Sequence, residues 1–221
     1  MKLLAFLRRN PSAGLLCVQL LGVILYPMME SSPRGRALFG MFGLLVLGLA
    51  LWVVRRGPWL TWVGVTFALP VVVLSLMTAV TPNAGLSLAA AALESVFYLY
   101  AAGSLIAYML QDPHVVADDL FAAGATFTLL AWGFAYAFVV CQGLQPGSFG
   151  YTGLELRSWT ELLYVSVAVL SSVGLSDIVP VLPVARSIVM LESIAGIMYI
   201  ALVVSRLISL TANARRELPR S

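Results

Sequence analysis

Residues 171–177 read Ser-Ser-Val-Gly-Leu-Ser-Asp, a polar stretch inside a C-terminal third that is otherwise apolar. Serine hydroxyls can attack as nucleophiles, but only when a base and a suitable turn present them. This stretch lacks the nucleophile-elbow pattern, and the single histidine, His114, is expected on the opposite side of a membrane. Cysteine and metal chemistry are no better supplied. Cys17 and Cys141 are far apart in apolar runs and read as buried hydrophobes, and no Cys/His cluster has metal-ligand spacing. What remains is a row of hydroxyl, carbonyl and carboxylate oxygens in an unwound stretch between two apolar segments. Asp177 would concentrate cations at the edge of that row.

Two carboxylates fall inside apolar segments, Glu94 and Glu192. An ionisable group at membrane depth is costly and marks a functional site or an interhelical polar contact. Glu192, one turn before Gly196, reads first as a structural hydrogen bond, with a modulatory role or direct contact with an ion as the alternatives. Asp112, His114, Asp118 and Asp119 form the one acidic stretch on the expected cytoplasmic side. Asp118 and Asp119 suit a helix N-terminus, where negative charge meets the positive end of the dipole.

The elements that must position these groups follow from composition. The chain has 221 residues, 61% hydrophobic and 10% charged, where a soluble domain carries about 25% charged residues. Its main solvent is therefore lipid, and the formal charge of +3 gives no case for nucleic acid. A bilayer core needs roughly 20 apolar residues in a helix. Six stretches meet or approach that: 12–29, 37–54, 59–80, 84–110, 117–141 and 182–210. The basic start of the chain lacks a small-residue cleavage site after its apolar run and reads as a membrane helix. With the N-terminus inside, Lys2, Arg8, Arg9, Arg55, Arg56, Arg206, Arg215, Arg216 and Arg220 face the cytoplasm. Arg34, Arg36, Arg157 and Arg186 face outward. That bias predicts six spans with both termini cytoplasmic.

Between the fifth and sixth spans, residues 158–170 can form about three helical turns, too few to cross. Ser158 with Glu161 three residues on forms a capping-box pattern at its start. Non-helical backbone after it is tolerated at membrane depth only where protein buries it or it lines a watery cavity. A half-helix that enters and an extended segment that returns aim carbonyls at a cation. The fourth stretch, 84–110, carries no arginine, so steep voltage gating is not expected.

With those residues in view, 115–210 resembles the pore module of the bacterial tetrameric potassium-channel superfamily. The similarity rests on "LQPGSF", on "ELLYVSVAVLSSVGLSDIVPVLPVARS" and on "LESIAGIMYIALVVSRLISL". The family's filter, Thr-Thr-Val-Gly-Tyr-Gly-Asp followed shortly by Pro, falls on Ser171, Ser172, Val173, Gly174, Leu175, Ser176 and Asp177, then Pro180. Arg186 and Gly196 match the family's inner-helix arginine and hinge glycine. The resemblance implies an all-α homotetramer in a bacterial inner membrane, with lipid and its own copies as partners. It implies a permeant monovalent cation, potassium foremost, at Ser172, Val173 and Gly174. From the residues themselves no cofactor or catalytic residue is expected, and the roughly ten residues after Leu210 are expected to be too few for a soluble ligand domain. Residues 1–111 would form a four-helix region without a voltage-sensing array, and 112–221 the pore domain. In the pore domain the outer helix is 117–141, the pore helix 158–170, the filter 171–177 and the inner helix 182–210. By the same alignment Ser193, Ile197, Ile200, Val204 and Ile208 line the pore.

Two departures set the functional expectation. Ser176 stands where the family has a second glycine, and a left-handed non-glycine costs roughly 1–2 kcal/mol. Leu175 stands where the family has a tyrosine, and leucine has no donor to anchor the filter. The inner half should survive and the outer half should be remodelled. That predicts a passive cation pore with weakened potassium selectivity or an occluded outer mouth; the alternative is a non-conducting scaffold or partner subunit.

Overall fold

The computed structural model describes the backbone of residues 10–30, 33–54, 61–81, 83–111, 117–150 and 156–216. The side chains of 26–30, 33–41, 54, 61, 79, 80, 111, 117 and 207–216 lie outside the described set. Every regular element described is a helix: α1 Pro11–Glu30, α2 Pro33–Val54, α3 Thr61–Val80, α4 Ala84–Gln111, α5 Ala117–Leu144, α6 Trp159–Leu170 and α7 Pro183–Arg216. Helices suit so apolar a chain because each satisfies its own backbone polar groups where no water can. By length and composition, the described stretches Ala84–Leu110, Asp118–Leu144 and Pro183–Arg206 can cross a membrane. The outer helix runs three residues further than expected, to Leu144, and α7 continues past 210.

The main core lies between α1, α2, α4 and α5, around Leu15, Val46, Tyr98, Leu129 and Trp132, with Val71 of α3. α4 meets α5 closely because Gly133 leaves room for Leu99, and Ser95 donates to the Gly133 carbonyl at 2.9 Å. A second cluster joins Phe138 and Cys141 of α5 to Phe149, Leu162, Val165, Ile178 and Ala185. It fixes the chain before and after α6 against the C-terminal half of α5.

At the other end of α5, Asp118 accepts from the backbone N–H of Ser12 at 3.1 Å and lies 3.0 Å from its hydroxyl. It thereby takes up a free N–H at the start of α1, as an N-terminal acceptor should. Asp119 pairs with Arg206 of α7 at 3.4 Å. Both aspartates sit in the first turn of α5, as the sequence predicts. Asp112 and His114 lie outside the described residues.

Candidate pore and filter

Hydrogen bonds trace the path of α6. Its start is clasped by Gln142, near the C-terminus of α5: Gln142 Oε1 accepts from Arg157 N at 3.0 Å, and Nε2 donates to Arg157 O at 2.7 Å. Further along α6, the Ser166 hydroxyl lies 2.9 Å from the carbonyl of Ala131, midway down α5. The chain then returns to its entry level, where Val181 N donates to Ser148 O at 2.8 Å. It enters, stops about halfway along α5 and comes back. Twelve residues of helix span about 18 Å, against a bilayer core of about 30 Å.

The expected capping box is present: the Glu161 N–H donates to Ser158 Oγ at 3.3 Å, and Ser158 N donates to Glu161 Oε2 at 2.8 Å. Glu161 also pairs with Arg157 at 2.8 Å. Burial pushes the Glu161 carboxyl up, but the Ser158 donors and the Arg157 guanidinium outweigh it and hold it below its usual range.

The filter-matched loop has two differently held halves. Ser171 is the C-cap of α6 in right-handed conformation. Ser172 N donates to Val169 O at 2.9 Å, and Val173 N to Ala168 O at 3.2 Å. These two bonds define a Schellman motif, whose left-handed position is normally glycine. Ser172 fills it, with φ +60. Gly174, at φ +68, adds an N–H to the same Ala168 carbonyl at 3.0 Å. Among the described non-glycine residues only Ser172 has positive φ, so the left-handed strain considered for Ser176 falls instead on Ser172. Its physical cause is the helix end, which turns the chain at that residue.

Beyond Gly174 the bonds are local. Ser176 N donates to Gly174 O at 3.0 Å, while Ser176 Oγ accepts from Ile178 N and lies equally close to Ile178 O, at 3.1 Å. Within one chain Val173 is 61% and Leu175 70% exposed, and Asp177 is exposed as well. An added Cβ at Gly174 would meet nothing within 4 Å. Arg186 Nε donates to Pro180 O at 3.2 Å, tying the start of α7 to the returning segment.

Of the proposed pore-lining residues, Ile197, Ile200 and Val204 are exposed, Ser193 is half-buried with its hydroxyl on Val189 O, and the Ile208 side chain lies outside the described residues. Gly196 sits in unbroken helix, and a Cβ there would collide with the backbone carbonyl of Leu170. What this glycine supplies in the structure is close approach of α7 to the end of α6. Glu192, one turn earlier, is fully buried against Ser166. Glu94 reaches Tyr136 of α5. Sequence reasoning missed Gln142, Ser148, Ser166 and Ala131, all of which act across long sequence separations. Only Ser166, a hydroxyl within the apolar run of α6, carried any local signal.

Residues 124–213 match the family model described as "Ion channel". The match covers under half of the chain, and takes in most of α5, all of α6, the loop and nearly all of α7. It supports the potassium-channel superfamily for this module and a non-enzymatic transport role in a membrane. Neither the curated proteins nor the solved structures yield a significant match.

Proposed function

We propose that four copies of this chain assemble around the loop at 171–177 to form a passive pore for monovalent cations. The re-entrant path of α6 carries this reading, because it brings an exposed loop to mid-depth of the outer helix. The inner helix adds support. Of the apolar window of α5, 61% is buried within the chain, but only 17% of that of α7. Exposed Leu191, Ile194, Ile197 and Met198 give α7 faces for neighbouring copies and lipid as well as for a pore. In this reading α1–α5 and α7 are six spans with both ends cytoplasmic, in a bacterial inner membrane. The filter is Ser171–Asp177, with potassium foremost at Ser172, Val173 and Gly174. Ser193, Ile197, Ile200, Val204 and Ile208 line the cavity, and bending of α7 at Gly196 would act on Leu170.

The altered outer half weakens potassium selectivity or closes the mouth. One observation favours a second reading, a non-conducting scaffold or partner subunit. The Gly174 carbonyl, which the family aims at the ion, here accepts from Ser176 N. Purified protein in liposomes separates the two. A four-copy assembly that passes potassium or sodium down a gradient supports the pore; one that passes neither supports the scaffold.

A further inference from the structure

The inner helix grips the pore helix at two matched points. Glu192 meets Ser166, and Gly196 meets Leu170, so an i, i+4 pair on α7 registers against an i, i+4 pair on α6. Such pairs share one helix face. Filter residue Ser171 follows Leu170 directly, so this register sets where the filter begins.

The hydrogen-bond count at the first point is informative. The Ser166 hydroxyl lies within reach of two acceptors, the Ala131 carbonyl and Glu192 Oε1, yet it has one proton to give. A carbonyl cannot donate. Both contacts are satisfied together only if Glu192 carries a proton and donates to Ser166 Oγ, which donates in turn to Ala131. Charge gives the same answer. Glu192 is 0% exposed, and its Oε2 has no hydrogen-bond partner. A buried unpaired carboxylate is far costlier than the neutral acid. The cations on packed elements are engaged elsewhere: Arg157 with Glu161, Arg206 with Asp119 and Arg186 with Pro180 O. Tyr199 donates to Ala123 O, and Tyr136 is bonded to Glu94.

We propose that Glu192 is a positioning residue for the filter. Held as the neutral acid, it completes the chain Glu192–Ser166–Ala131, which locks the inner, pore and outer helices in the one register that presents the filter to passing cations. This rests on the conduction reading above. A glutamine can donate to Ser166 through its amide, an alanine cannot, and a serine-to-alanine change removes the middle link.

The test reconstitutes wild type, Glu192→Gln, Glu192→Ala and Ser166→Ala, each first checked for the wild-type oligomer by size. Potassium flux is then measured, together with infrared spectra at neutral pH. Glu192→Ala and Ser166→Ala should lose most of the potassium flux, and Glu192→Gln should keep it. The wild-type minus Glu192→Gln difference spectrum should contain a protonated carboxylic-acid band. Unchanged flux in Glu192→Ala, or equal loss in Glu192→Gln and Glu192→Ala, overturns the proposal. So does a difference spectrum without the acid band. If wild type passes no cation, the conduction reading fails on its own, and the positioning proposal, which needs a filter that conducts, is overturned with it. The infrared band would then report only whether Glu192 is protonated.

Discussion

The two halves of the loop at 171–177 are built on different supports. The inner half, Ser171 to Gly174, is a continuation of α6: its amides turn back onto the carbonyls of Val167, Ala168 and Val169. The outer half, Leu175 to Asp177, holds to itself through Ser176, which bonds Gly174 on one side and Ile178 on the other. A helix end is fixed by whatever fixes the helix, and α6 is held by Gln142 and its capping box at the start and by Glu192 and Gly196 near the end. A local turn has no such backing. The inner half should therefore respond to changes in distant helices, and the outer half to its own residues.

The largest effect expected on the inner half is from Gly196→Ala. The added methyl meets a backbone carbonyl, which cannot rotate away as a side chain can. Overpacking of this kind costs about 1–3 kcal/mol, and here it also pushes α7 off the end of α6. We expect a lower melting temperature in detergent and loss of cation flux. A wild-type melt and flux would show that α6 is not held from this side.

A smaller effect of opposite sign is expected from Ser172→Gly. Ser172 occupies the left-handed position of the Schellman motif, and glycine removes a penalty of roughly 1 kcal/mol. The variant should melt slightly higher. Ser176→Gly in the outer half should not, since Ser176 is outside the left-handed region and its hydroxyl is the group that closes the local turn. Equal gains at both positions would erase the distinction between the halves.

The sequence made part of this legible, for identifiable reasons. Ser158 and Glu161 interact across three residues, so their spacing alone signals the cap. Asp118 and Asp119 are readable because helix dipoles act within one turn. The order of short helix, loop and long helix (α6, residues 171–177, α7) is readable because it is linear along the chain. The position of strain was not. The glycine pattern drew attention to Ser176, whereas the left-handed residue is set by where α6 ends and which of its carbonyls remain free. Nor could the Gln142 clasp or the Ser166–Glu192 contact be read, because each joins residues 15 to 26 positions apart through helix packing. Gly196 was legible as a glycine at a telling spacing, but its contact with Leu170 needed the structure.

The claim at the centre of this account is that Leu175 and Ser176 separate this filter from an ordinary potassium filter. The direct measurement is the reversal potential under asymmetric potassium and sodium, for wild type and for Leu175→Tyr with Ser176→Gly in the same membranes. Tyrosine supplies a hydroxyl to anchor the outer half, and glycine removes the serine that closes it on itself and permits the left-handed backbone. Wild type should show a modest potassium preference, or no current. In the double variant the potassium-to-sodium permeability ratio should rise by about tenfold, equivalent to roughly 1.4 kcal/mol of discrimination, or potassium current should appear where there was none. A wild type that is already strongly potassium-selective, with the double variant unchanged, would contradict it.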